Sequence, residues 1–149
     1  MASKESMLKG LSPLLSPGLL ALLYEMGHGD EVVLADAHFP SATLGRRVVR
    51  ADGLGVASLL EAILPLFELD RYVETPVAMM APVPGDALDP AVEASFYAVI
   101  GRLAPRTPSP ERLERFAFYE RARNAFGVVA TGEISKYGNV ILRKGVTPA

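Results

Sequence analysis

Apolar residues fall along the chain in short blocks whose spacing switches between that of helices and that of strands. Leu19, Leu20, Leu22, Leu23 and Met26 recur at helical intervals, and Ser16-Pro17 ahead of them supplies a capping hydroxyl and a proline suited to the first helical position. Gly27 stops this helix, and Gly27-His28-Gly29-Asp30 reads as a turn. Val32, Val33 and Leu34 within Glu31–Ala35 predict a buried strand, which the loop Asp36-Ala37-His38-Phe39-Pro40 leaves. A second strand is predicted at Arg47–Arg50. The turn Asp52-Gly53-Leu54-Gly55 follows, then a helix carrying Val56, Leu59, Leu60, Ile63 and Leu64 as far as Pro65. Val77–Pro82 reads as a further strand, and Asp89 as the cap of a helix with Val92, Phe96, Val99 and Ile100 on its inner face. Beyond the connection Pro105–Pro110, the pattern predicts a helix over Leu113–Phe126 and strands over Gly127–Thr131 and Asn139–Arg143. The simplest pairing of those last strands is antiparallel, across the Gly132–Gly138 connection.

Strands alternating with helices predict an α/β sandwich with a largely parallel central sheet. The 149 residues fit a single domain, read here as residues 7–149 behind a flexible lead-in at 1–6. A net charge of −2 provides no basic field for a phosphate backbone, so nucleic acid is not an expected partner. The absence of cysteine excludes disulfides, thiolate catalysis and Cys-ligated metals. The two histidines have no metal-ligand spacing, and no apolar stretch approaches the roughly 20 residues of a membrane span. Neither a metal nor a membrane partner is expected, and the compartment expected is the cytoplasm. Gly53-Leu54-Gly55 lacks the third glycine of a dinucleotide fingerprint, and no phosphate loop occurs, so no cofactor is expected.

The candidate chemistry lies in loops and on one helix face. His28 stands between two glycines. Imidazole's ordinary pKa of about 6.5 suits proton transfer, although a histidine here can equally cap the preceding helix. Asp36 lies just beyond a strand, where open α/β sheets collect ligands; it can bind hydroxyls, cap its loop or pair with an arginine. Arg115 and Tyr119 share a helix face and suit a polyhydroxylated ligand, unless Arg115 pairs with Glu111 or Glu114. Tyr137-Gly138-Asn139 places a phenol and an amide around a glycine, as a sugar site or as a plain turn.

Taken in order, Met26-Gly27-His28-Gly29-Asp30-Glu31, Asp36-Ala37-His38-Phe39-Pro40, Arg115-Phe116-Ala117-Phe118-Tyr119-Glu120-Arg121-Ala122, Thr131-Gly132-Glu133 and Lys136-Tyr137-Gly138-Asn139 resemble the L-fucose mutarotase branch of the RbsD/FucU sugar mutarotase family. The resemblance runs from about Met7 to Pro148. It implies an RbsD-like α/β/α sandwich and an isomerase that interconverts the α and β anomers of L-fucose with neither cofactor nor metal. It maps the general acid onto His28 and the substrate contacts onto Asp36, Arg115, Tyr137, Gly138 and Asn139, with Tyr119 as a further catalytic participant. It also implies a homo-oligomer, a decamer of two pentamers, with sites near subunit contacts. D-ribose pyranase or another monosaccharide mutarotase, a non-catalytic sugar-binding protein and a purely structural oligomer are the competing readings.

Mutarotation opens a cyclic hemiacetal and closes it on the other carbonyl face. The ring oxygen gains a proton while the anomeric hydroxyl loses one, so a positioned acid and base both help. His28 is the expected donor, with Tyr119 or Tyr137 as partner. The eight residues from His28 to Asp36 cross a predicted strand, which separates the two by about 15–25 Å at the strand rise per residue. A single sugar does not span that distance. Each site is therefore expected to combine neighbouring subunits.

Overall fold

The computed structural model describes residues 8–149; the expected lead-in at 1–6 lies outside the described residues. The elements are α1 (Pro17–Glu25), β1 (Glu31–Ala35), α2 (Ser41–Leu44), β2 (Val48–Ala51), α3 (Val56–Ile63), β3 (Val77–Met80), α4 (Pro90–Leu103), β4 (Glu111–Leu113), α5 (Arg115–Asn124), β5 (Gly127–Thr131) and β6 (Val140–Arg143), with a 3-10 turn at Leu64–Leu66. Six strands form one sheet in the order β2-β5-β1-β6-β3-β4. β2, β5 and β1 pair parallel, as do β3 and β4, while β6 runs antiparallel between β1 and β3. The sheet is thus mostly parallel, as expected, with its one reversed strand in the interior.

Strands covered on both faces must be apolar throughout, and that is why β1, β3 and β5 read as continuous hydrophobic runs. Alternation still assigns their side chains. Val32, Leu34, Val77, Met79, Val129, Val140 and Leu142 face α1, α3 and α4 in the larger core. Val33, Ala35, Ala78, Met80, Val128 and Ile141 face α2 and α5 in the smaller one, against Phe39 and Phe118. Two layers of helix with a sheet between them make the α/β/α sandwich.

Local signals placed the helix starts. The Ser16 hydroxyl accepts from Leu19 N at 3.1 Å, and Asp89 Oδ1 accepts from Ala91 N at 2.9 Å. Gly55 has no side chain to cap α3; Glu133, 77 residues away, accepts from Val56 N at 3.0 Å instead. Gly132 beside it passes so close to Gly53 that a Cβ would lie 2.6 Å from the Gly53 nitrogen. The Thr131-Gly132-Glu133 segment therefore clamps β5 to the turn that opens α3.

Several sequence expectations are corrected. β5 and β6 do not form a hairpin: β2 and β1 occupy both edges of β5, and the apolar β6 gains two partners only by entering between β1 and β3. The expected helix over 113–126 begins later, because Glu111–Leu113 adds β4 to the sheet edge, where charged residues are tolerated. Glu114 then caps α5 by accepting from Phe116 N and Ala117 N at 3.0 and 3.1 Å. β3 ends at Met80 rather than Pro82, β2 lies one residue later than expected, and β6 starts at Val140 rather than Asn139. The loop after β1 contains the single turn α2, which four residues are too few to signal by periodicity. No helix of the described residues is long and apolar enough to cross a membrane.

Candidate active site

The candidate residues separate into two groups at opposite ends of β1. At its carboxyl end, Asp36, Arg115, Tyr119, Tyr137 and Asn139 line one cavity of about 270 Å³, together with His38, Val83 and Lys136. Asp36 is buried, and its backbone N–H donates to Asn139 Oδ1 at 2.7 Å across 103 residues of sequence. This contact engages the amide oxygen of Asn139, and the Asn139 side chain also acts on the Asp36 carboxyl. Asp36 Oδ1 accepts from His38 N at 2.9 Å, which fixes the carboxylate on its loop. Burial pushes the Asp36 carboxyl up, against the lowering influence of the N–H groups of His38 and Phe39, the His38 charge and Asn139.

Arg115 has no carboxylate partner among the described residues. Glu114 is occupied as the cap of α5 and Glu111 bridges to Arg121 at 3.0 Å, so neither ion pair considered for Arg115 forms. Its Nε donates instead to the Tyr119 hydroxyl oxygen at 3.3 Å. That arrangement leaves the phenolic proton and most of the guanidinium without a hydrogen-bond partner among the described residues. Tyr137 differs. Its hydroxyl accepts from Val83 N at 3.1 Å and donates to Asp86 Oδ2 at 2.8 Å, which ties the loop after β3 to the segment before β6. Lys136 and Tyr137 together hold the Asp86 carboxyl down at about 2. Gly138 is required sterically: a Cβ there would lie 2.8 Å from Ser135 O. It allows the turn that presents Tyr137, itself in the left-handed region at φ 58°.

His28 belongs to the other end of the sheet. It does not cap α1, because the ammonium of Lys144 reaches the Leu23 and Met26 carbonyls at 2.9 and 2.6 Å. His28 Nε2 lies 3.1 Å from Asp70 Oδ1, and its ring leans on Tyr72 with centroids 5.2 Å apart. Asp70 is 1% exposed, whereas the His28 side chain is 45% exposed: a buried carboxylate holds an accessible imidazole. Arg143 Nε, at 2.9 Å, binds the other carboxylate oxygen. Sequence reading missed Asp70, Tyr72 and Arg143. They lie on a loop and at a strand end with no motif linking them to a histidine 42 or more residues away.

The profile of the RbsD / FucU transport protein family matches residues 9–147. The chain belongs to this family. This RbsD / FucU chain is 61% identical over 142 residues to the L-fucose mutarotase of Actinobacillus pleuropneumoniae serotype 5b, a match spanning 95% of this chain and 99% of the relative. It superposes with TM-score 0.90 on the fucose mutarotase of Streptococcus pneumoniae solved in complex with L-fucose. The two are 42% identical, over 95% of this chain and 100% of the other. RbsD of Bacillus subtilis, solved with D-ribose, shares the fold at TM-score 0.70 but only 22% identity, over 90% and 95% of the two chains.

Within this RbsD / FucU fold the buried Asp70 carboxyl is expected to make stability fall in acid. Burial pushes its pKa up, but the Tyr72 N–H, Arg143 and His28 outweigh burial and hold it below the usual carboxylate range. A carboxyl depressed in the folded protein stabilises fully above its unfolded value of about 4, and that contribution disappears as pH falls through the folded value. Asp70→Asn is expected to lower stability at neutral pH and to flatten its decline in this acid window, as read from urea midpoints between about pH 6 and pH 2.

Proposed function

We propose that this protein interconverts the α and β anomers of L-fucose through a site completed by two subunits. Whole-length identity of 61% to an L-fucose mutarotase is the observation that carries the activity. The residues suit it chemically. Asp36, Arg115 and Asn139 offer a carboxylate, a guanidinium and an amide NH2 to the hydroxyls of a neutral sugar. His28, fixed by Asp70, delivers a proton to the ring oxygen. The Tyr119 hydroxyl takes one from the anomeric hydroxyl while passing its own phenolic proton to water, and closure reverses both transfers. Tyr119 suits this role better than Tyr137, whose hydroxyl already accepts from Val83 N and donates to Asp86.

The position of His28 supports a site shared with a second subunit. The five residues of β1 between the two groups span about 17 Å at the usual rise, more than a monosaccharide bridges. Each group carries an exposed aromatic ring beside it, Tyr72 at 79% next to His28 and Phe116 at 67% next to Arg115 and Tyr119. Burial of these rings against a neighbouring copy would bring the two groups together. The assembly proposed is the homodecamer of the family resemblance, and the compartment the cytoplasm.

Saturation-transfer NMR tests the reading. Irradiating one anomeric proton of L-fucose should attenuate the other only when protein is present, and transfer with D-ribose should be weaker. Equal or faster exchange of ribose would assign the other sugar. Saturable binding without exchange would make the protein a sugar-binding module.

A further inference from the structure

We infer that Arg143 is a positioning residue for the reaction, holding Asp70 as a permanent carboxylate acceptor so that His28 keeps its proton on Nε2 and turns Nδ1 to the sugar. This rests on the proposed proton transfer by His28. The geometry converges from three separate segments. Asp70 Oδ1 receives His28 Nε2 at 3.1 Å and Tyr72 N at 3.0 Å, and Oδ2 receives Arg143 Nε at 2.9 Å. An ionised carboxylate acts only as an acceptor, so the nitrogen facing it must carry hydrogen.

A buried carboxylate needs a cation, and His28 is ill-suited to be the only one. Its own charge must change during each proton transfer. With His28 alone, Asp70 would lose its counter-charge whenever the imidazole became neutral, and the two groups would share a proton. Arginine stays charged throughout. Of the other charged groups of this region, Arg71 pairs with Glu68 at 3.0 Å, the Lys144 ammonium binds two carbonyls, and Asp30 accepts from Gly27 N at 2.7 Å. Arg106 and Glu74 line a cavity with Asp70, but neither bonds its carboxylate. Glu74 also shares a surface cavity with Arg143.

Two features of the backbone free Arg143 for this task. Its cross-strand neighbour is Glu31, the natural ion-pair partner, but Glu31 is taken by Arg121 at 2.6 Å. Gly29, beside His28, has φ 88°, and a Cβ on it would lie 3.2 Å from Arg143 Nη2. Glycine there satisfies the turn that presents His28 and leaves room for the guanidinium that steadies it.

The test compares wild type, Arg143→Gln and Arg143→Lys by L-fucose exchange kinetics and by ring-nitrogen NMR of His28. In wild type the neutral His28 ring should show one tautomer, protonated at Nε2. Arg143→Gln should lower kcat by about tenfold or more with KM little changed, shift the acid limb of the rate profile to higher pH, and mix the tautomers. Arg143→Lys should restore most of the rate, because it returns the charge. A wild-type ring protonated mainly at Nδ1 overturns the inference, even if Arg143→Gln fails to fold. So does a folded Arg143→Gln with wild-type kcat, pH profile and tautomer. Absence of exchange in wild type would defeat the proposed function alone, since the His28 tautomer still decides the role of Arg143.

Discussion

His28→Ala is expected to reduce protein-dependent anomer exchange by about 10²–10⁴-fold, the usual contribution of a positioned general acid. The side chain is 45% exposed and fills no core volume, so its removal leaves no cavity. Asp70 retains the Tyr72 N–H and Arg143, so it does not become an unpaired buried charge. The loss should therefore fall on turnover and not on folding. Because the proposed hydroxyl-binding groups lie at the other end of β1, L-fucose should still saturate the variant at concentrations close to wild type. Exchange measured by saturation transfer, alongside a sugar titration and a melting curve, separates these effects. Wild-type exchange in a folded His28→Ala would remove the imidazole from the mechanism.

A second contrast, about a quarter of that size, is expected from mixed assemblies. His28→Ala and Tyr119→Phe each remove one of the two proposed proton-transfer groups, and every subunit of their co-expressed mixture carries one lesion. If one subunit supplies His28 and its neighbour supplies Tyr119, random co-assembly of equal amounts leaves roughly a quarter of sites with both groups intact. Exchange should then recover to about that fraction of wild type, far above either parent. If both groups acted within one chain, no site would be intact, and the mixture would stay at the parental level. The comparison needs no assumption about how many subunits assemble. Tyr119→Phe removes only a hydroxyl and keeps the edge-to-face contact with Phe39 at 5.5 Å, so assembly should survive.

Much of the fold was legible in the sequence, and the reason is local. β1, β3 and β5 are short apolar runs because both their faces are covered, and α1 and α4 announce themselves by Ser16-Pro17 and Asp89-Pro90. Arg115 and Tyr119 could be paired on a helix face because helical spacing is itself local. The distance between His28 and Asp36 also followed from spacing, since a straight strand leaves no other arrangement.

The order of strands was not local, and what depends on it stayed hidden. The central place of β6 decided that Arg143 meets Asp70 across 73 residues and that Asn139 meets Asp36 across 103. Likewise α3, whose start offers only Gly55, takes its cap from Glu133 on the far side of the chain. By itself the sequence determined which segments become strands and helices and which residue types stand at their ends, because periodicity and capping act over a few neighbours. The tertiary structure decided which ends meet. Pairing between distant strands depends on burying every apolar face at once, a condition that no single segment expresses.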